Sequence, residues 1–436
     1  MRSLLGGAQF SAHFGQKNHN TPEVNLFHKE ETMKKLVSAW LLCIGFLFIA
    51  GTARGQKQIA RHLPAANFHR GKLDKLPTYN PKAEKYSEID LRCYDLSSLN
   101  IKDNLNDLMM STFDNKTKWP KELPPSFDPG HIMELGKNPG LGIRSLHKKG
   151  ITGKGVSLGI VDQGLLISHE EYKDRLQVYQ EVHCLDNQAA MHGGAVASIA
   201  AGKTVGVAPE ADIYYIGCTV FDPVDDRTKI EVDFKYVAQS IHRLMEMNRS
   251  LPKEKKLRVI FAAIGWRDLE RKNAAMAYDA VLKAKEEGVL VITSSLPMTH
   301  NLRFCGLNRD PLADPEKFTS YSLGSFLLWN NGLERILKED NTRTLLIPMD
   351  SRCTASPTGD SDYVFYREGG WSWVIPYIAG LYALACQVKP DIKPDLFWNE
   401  ALNVGDILEI EQNGQKHCLG KIINPERLIL RLTNAN

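Results

Sequence analysis

The chain has 436 residues, enough for one large domain with an extension or for two domains. Its 43% hydrophobic and 24% charged content is that of an ordinary globular protein, and a net charge of +3, with no basic stripe interleaved with aromatics, speaks against nucleic acid as a partner. The eight cysteines are scattered, with no CxxC pair, which speaks against a zinc ribbon or a dense disulfide scaffold.

The stretch "MKKLVSAWLLCIGFLFIAGTARGQ" begins at Met33, with Lys34 and Lys35 ahead of an apolar run from Leu36 to Ala50 and small residues at Gly51, Ala53 and Gly55. This is the pattern of a secretory signal peptide over residues 33–55, so a secreted or cell-envelope protein is expected. The alternative is a retained anchor, but the apolar run is barely long enough to span, and no stable membrane span is expected after cleavage. Residues 1–32 are polar and patternless and read as a non-native upstream extension, with Met33 as the initiator. Cys43 lies in the leader, so seven cysteines remain after it and at least one is unpaired.

Residues 56–128 read as an N-terminal extension or pro-segment. Up to about residue 90 the segment is rich in Lys, Arg, Pro and Asn and reads as flexible and solvated; short apolar patches such as "LNDLMMSTF" follow. From Pro129 the pattern changes, and residues 129–436 read as the main domain. "GIRSLHKKG" predicts a helix ending at Gly150, a residue suited to the position after a helix. "GVSLGIVDQG" predicts a buried strand ending in Asp162, "GAVASIAAG" a short helix, and "ADIYYIGCTV" a strand. "VDFKYVAQSIHRLMEMN" predicts an amphipathic helix, "LRVIFAAIG" a strand, "AAMAYDAVLKAKEEG" a helix and "VLVITSS" a strand. Strands that read as continuous apolar runs and alternate with helices predict an α/β fold with a mostly parallel central sheet and helices on both faces. In such sheets chemistry collects at the carboxyl ends of strands, where Asp162, Gly265 and Ser294 fall.

Three segments carry residue types suited to nucleophilic chemistry. Asp162 ends a strand, though most such aspartates cap a turn. His192 stands before two glycines and a helix of small residues, where it could equally be a satisfied core histidine. Ser372, in "GGWSWVIPYIAG", precedes an apolar helix face of Val374, Ile378, Leu381, Tyr382 and Ala385, where a serine is often a simple cap; Pro376 reads as a first-turn residue. Together they give Asp, His and Ser in that order, 30 and then 180 residues apart, on a parallel α/β pattern.

These motifs resemble the subtilisin-like serine peptidases. "GKGVSLGIVDQG" is similar to the family's aspartate motif, "HGGAVASIAAG" with "GVAPEADIYYI" to its histidine motif, "GGWSWVIPYIAGLYAL" to its serine motif, and "GKIINPERLI" to its closing segment. The resemblance covers roughly residues 129–430. It implies a subtilisin-like three-layer fold and a serine endopeptidase acting on a peptide or protein substrate. In it Ser372 is the nucleophile, His192 the base and Asp162 its orienting partner, and Ala263, Ile264 and Gly265 form the edge that pairs with substrate.

The departures are specific. Where the family has an oxyanion-stabilising asparagine stand Leu296 and Pro297, leaving Asn301 or Asn308 of the next segment as candidate donors. Trp371 and Trp373 flank Ser372, Ala195 replaces the family's second histidine, and Trp266 follows the substrate edge, so that Trp266 and Trp371 are expected to narrow the pocket. The loop that would hold calcium is only "GKTV", too short for an ion needing 6–8 oxygen ligands, so no metal or other cofactor is expected. His169, Glu170, Glu171, His183 and Cys184 are metal-ligand types but lack HExxH spacing. These departures motivate an alternative function, a catalytically impaired relative that binds peptides or a protein partner through the same cleft.

Overall fold

The computed structural model describes residues 57–81, 88–222, 231–324, 332–412 and 414–434; the leader and the residues before it lie outside these. The extension contributes β1 (Gln58–Ile59), β2 (Ile89–Asp90) and β3 (Ser111–Asp114). A short helix α1 (Ile143–Lys148) leads into β4 (Ser157–Asp162), β5 (Leu176–His183), helix α2 (Met191–Ala201) and β6 (Asp212–Cys218). Helix α3 (Lys235–Ser250), β7 (Leu257–Ala262), helix α4 (Ala274–Glu286) and β8 (Leu290–Ile292) follow. The α1 prediction holds to its end: Gly150 lies just beyond the helix with φ +77°, in the left-handed region that glycine enters freely.

The central sheet has six strands in the order β1-β5-β6-β4-β7-β8, every neighbouring pair parallel. β4 lies in the middle, and the chain winds to one side of it through β5 and β6 and to the other through β7 and β8. The carboxyl ends of β6, β4 and β7 therefore border a topological switch point, where open α/β sheets place their crevice. Side chains alternate across the sheet. Leu158, Ile160, Val259 and Phe261 enter one core with α2, while Val161, Ile216, Ile260 and Val291 enter a second with α3 and α4. This is the α/β architecture expected from the apolar runs.

A five-stranded sheet packs at one end, with β9 (Arg303–Arg309), β10 (Tyr321–Leu323), β11 (Thr344–Pro348), β14 (Asp406–Gln412) and β15 (Gln415–Ile422) in the order β10-β9-β11-β15-β14. Between them in sequence run β12 (Arg352–Ala355), β13 (Tyr363–Tyr366) and the long helix α5 (Trp371–Val388). Among the described residues α5 is the one helix long and apolar enough to cross a membrane; here it is a core element, buried from Trp373 to Cys386. Each fully buried leucine, isoleucine or valine on it contributes roughly 1.5–3 kcal/mol relative to exposure.

Residues 57–81 and 88–128 belong to the same compact unit as the rest, which runs from Lys57 to Asn436. The reading of the segment before residue 90 as flexible and solvated is corrected here. β1 adds to the edge of the central sheet, and Leu63, Ala66, Leu76 and Ile89 are buried. β2 and β3 join β12 and β13 in a four-stranded sheet, β12-β13-β3-β2, and Phe113 on β3 packs on Phe365 of β13 at 5.2 Å between ring centres. Strands this short carry no periodic signal, so their distant partners, β5 for β1 (Gln58 opposite Val178) and β13 for β3 (Phe113 opposite Phe365), were not legible in the sequence.

A chain beginning at Pro129 would expose the edge of β13 with which β3 pairs. Such a truncation is expected to lose cooperative thermal unfolding, and Phe113→Ala in the whole chain to lose about 3–5 kcal/mol. Circular dichroism melts check both, and a truncated chain that melts cooperatively would show that the extension is dispensable for the fold.

Candidate active site

Asp162 sits at the carboxyl end of β4 and is buried. Its Oδ1 accepts the backbone N–H of Gln163 at 2.9 Å and lies 2.7 Å from Nδ1 of His192. The turn after it is fixed twice: the Tyr215 hydroxyl donates to the Gln163 carbonyl, and Gly164 N–H donates to Asp186. His192 is the second residue of α2, whose N-cap is Ala190, and it keeps about a quarter of its side chain exposed. Gly193 follows because a Cβ there would lie 2.6 Å from the Gln163 carbonyl. The histidine helix can thus seat directly on the turn that bears the aspartate.

Burial disfavours a charged imidazole at His192, but the charge and the hydrogen bond of Asp162 outweigh it, so its pKa is raised above the ordinary histidine value. The same bond fixes the tautomer: with Nδ1 donating to the carboxylate, Nε2 of the neutral ring is left to accept a proton.

Ser372 is the second residue of α5, and the N-cap is Gly370, so the serine is not the helix cap. It lies in the first turn, where backbone N–H groups have no intrahelical acceptor and favour negative charge. Pro376 is the sixth helical residue, in the second turn rather than the first as expected. Lacking an N–H, it leaves the Ser372 carbonyl without the donor a helix would normally supply. The Ser372 hydroxyl donates to the Ala263 carbonyl at 3.3 Å; among the described residues no hydrogen bond joins it to His192.

The two helices that present His192 and Ser372 cross in close contact. A Cβ at Gly380 would meet the Ala200 carbonyl at 2.7 Å, and Ala195, Ala200, Ala379 and Ala383 are fully buried. His192 and Ser372 consequently line one cavity of about 350 Å³. A second, of about 200 Å³, is lined by Asp162, His192, Ala263 and Ile264 at the switch point. Gly265 is not among its lining residues; it packs against Ser295, whose hydroxyl bonds both the backbone N–H and the carbonyl of Trp266. All six residues singled out in the sequence are therefore gathered at the ends of β4 and β7 and the starts of α2 and α5.

The aromatic surroundings differ from expectation. Trp266 is 2% exposed and packs edge-on against Phe234 in the α3–α4 core, so it does not narrow the cavity. The tryptophan beside the histidine is Trp373, with ring centres 5.6 Å apart, itself packed on Tyr366. Leu296 begins a short helix and is fully buried. Asn308 is tied to Arg367 and Ser322, and neither it nor Asn301 lines the cavity. The "GKTV" loop is held by a protein carboxylate: buried Glu171 accepts from Thr204 N–H, the Thr204 hydroxyl and the Tyr363 hydroxyl. His169 bonds the Asp362 carbonyl and His183 the Thr219 carbonyl, so these two metal-ligand types serve structural bonds in different places.

With Asp162→Asn, burial would act on His192 alone. Its titration midpoint, followed by NMR of labelled histidine, is expected above 6.5 in the parent and below 6.5 in the variant. A midpoint unmoved by the substitution would show that Asp162 does not set the charge of the ring.

The chain is similar to known proteins over part of its length. The subtilase family matches residues 153–295, a span that holds Asp162, His192 and Ala263–Gly265 but not Ser372. A subtilisin-like protease from Myxococcus xanthus, PopC, is 36% identical over 85 residues, 17% of this chain. The match spans only 18% of that relative's length. A solved structure of the prenylagaramide maturation protease PagA aligns with 67% of this chain and 99% of its own, at 18% identity and a TM-score of 0.45. Over residues 153–295, about a third of its length, the chain thus resembles the subtilases, a family of serine-type peptidases.

Proposed function

We propose that the protein is a secreted serine endopeptidase in which Asp162, His192 and Ser372 act as a triad. The observation that carries this reading is the 2.7 Å bond from His192 to Asp162 in a chain segment of subtilase type, with Ser372 on the wall of the same cavity. A serine hydroxyl is a weak nucleophile and needs a neighbouring base. His192 takes the proton from Ser372 as the oxygen attacks the peptide carbonyl, and returns it to the leaving amine; Asp162 stabilises the imidazolium in between. The first-turn N–H groups of α5 favour the oxyanion. An extended peptide pairs with the chain at Ala263–Gly265, displacing Ser372 from the Ala263 carbonyl as it binds. The signal-peptide pattern of residues 33–55 supports export.

A second reading has its own support. The family's asparagine position is taken by buried Leu296 and by Pro297, and the Ser372 hydroxyl is engaged with Ala263. Loss of such an oxyanion donor costs on the order of a hundred- to a thousandfold in turnover. On this reading the protein binds peptides or a protein partner without cleaving them.

A fluorophosphonate, which traps an activated serine, separates the two. Labelling of the parent, abolished in Ser372→Ala and in His192→Ala, is the expected result, and Asp162→Asn is expected to lower turnover on the order of ten-thousandfold. A folded parent that does not label would establish the binding reading. Export is checked by N-terminal sequencing of the secreted protein, expected to begin just after Ala53 or Gly55; a start inside residues 1–32 would overturn the assignment of Met33 as the initiator.

A further inference from the structure

The imidazole of His192 makes one hydrogen bond among the described residues, from Nδ1 to Asp162 at 2.7 Å. A single bond leaves a ring able to swing about it, so the direction of Nε2 needs a second contact. That contact is aromatic. Trp373, one residue beyond Ser372, has its ring centre 5.6 Å from that of His192, with the two planes tilted by 48°. It is 5% exposed and lines the cavity of about 350 Å³ together with His192 and Ser372.

The indole is itself held. A Cβ at Gly369 would lie 3.0 Å from Trp373 Cδ1, so the bare glycine backbone lets the ring seat closely there. Tyr366 packs edge-on against the same indole, ring centres 5.3 Å apart at 76°. The Tyr366 hydroxyl accepts from Arg92 at 3.1 Å, and the Arg92 guanidinium lies 5.4 Å from the centre of the tyrosine ring. Arg92 is anchored in turn by Asp90, which both sides of its fork reach at 2.8 Å. Asp90 and Arg92, with Glu88 and Thr112, are the part of the extension that walls this cavity.

We infer that Trp373 is a positioning residue for His192: it holds the imidazole so that Nε2 meets the Ser372 hydroxyl once substrate frees it from Ala263, and the extension sets the indole through Arg92 and Tyr366. The inference rests on the peptidase reading of Ser372 and His192. Two physical effects follow from the contact. A base must stand within hydrogen-bond reach of the proton it takes, and a misplacement of about 1 Å can cost on the order of a hundredfold in rate. An aromatic ring within about 6 Å also attracts a cation, here the imidazolium that forms during the reaction.

The test follows His192 by NMR titration of labelled histidine and by the pH dependence of the rate of fluorophosphonate labelling. The proteins compared are the parent, Trp373→Leu, Trp373→Phe, Tyr366→Phe and the parent grown with fluorinated tryptophan, which keeps the ring shape and weakens its pull on a cation. A ring that favours the imidazolium keeps its proton bound to higher pH, so weakening the ring lowers the midpoint. The fall is expected to be about half a pH unit in Trp373→Leu and smaller in Trp373→Phe and in the fluorinated protein. The other charged or titratable groups around His192 are Asp162, Cys218, Glu88, Asp90, Arg92 and Glu368, and all of these are unchanged in every protein compared. At a pH above every midpoint, where the charge of the ring no longer differs, the labelling rate is expected to fall about tenfold in Trp373→Leu and to return to within about threefold of the parent in Trp373→Phe. Tyr366→Phe, which keeps the ring and loses the bond to Arg92, is expected to lower that rate by about threefold. Thermal melts verify the fold; should Trp373→Leu not fold, Trp373→Phe and the fluorinated protein carry the test. A midpoint and a labelling rate unmoved by fluorination and by substitution of Trp373 overturn the positioning role and leave the peptidase reading standing. A folded parent that does not label overturns the peptidase reading and the positioning role with it.

Discussion

The close crossing of α2 and α5 is the constraint on which the site depends. His192 and Ser372 are each the second residue of their helix, so the distance between the helix axes decides whether the two can share a cavity. Only small residues permit that approach: Gly380 lies against the Ala200 carbonyl, with Ala195, Ala379 and Ala383 buried alongside. A larger side chain at Gly380 would displace backbone rather than a flexible side-chain tip, and the first turns of both helices would separate with it. Packing and site geometry are therefore one requirement here: the small residues that close the core also bring an imidazole and a hydroxyl to one cavity.

The opposite side of the base is governed by electrostatics. Asp162 lies at the end of a fully buried strand, where water cannot dissipate its charge, and the nearest cation it can have is His192 itself. The backbone donor of Gln163, and behind it the Tyr215 hydroxyl, hold the carboxylate in one orientation. The orientation is thus set at folding, and the buried acid raises the basicity of the ring without taking its proton.

Much of this was legible in the sequence because it is written in local signals. Continuous apolar runs gave β4, β6 and β7; an acidic residue closing one of them gave Asp162; runs of alanine and glycine beginning at a histidine and at a serine gave α2 and α5. What escaped notice depends on contacts between distant segments. Trp266 follows Ala263–Gly265 in sequence yet turns into the α3–α4 core, whereas Trp373 reaches His192 because its helix brings it there. Pro376 was placed one turn too early because the helix start at Trp371 is set by the Gly369–Gly370 entry, not by propensity. The extension looked solvated because its composition is polar and its strands are two to four residues long; its order comes from β5 and β13, to which no local pattern points.

That integration changes how the N-terminal segment must be understood physically. The Pro64 carbonyl accepts the N–H of Ala189, just ahead of the histidine helix, and Asn67 N–H donates to Gln188 beside it. Arg92 reaches Tyr366, Tyr366 packs on Trp373, and Trp373 packs on His192, so a continuous set of contacts runs from the extension to the base. Excising residues 57–128 would remove the partner of β13, unseat Tyr366 and open the cavity wall formed by Glu88, Asp90 and Arg92 in a single step. A segment that merely shielded the site could leave with little structural consequence; one that supplies a sheet partner, a core aromatic and the carboxyls of the cavity is bound to the site by the same packing that holds the domain together.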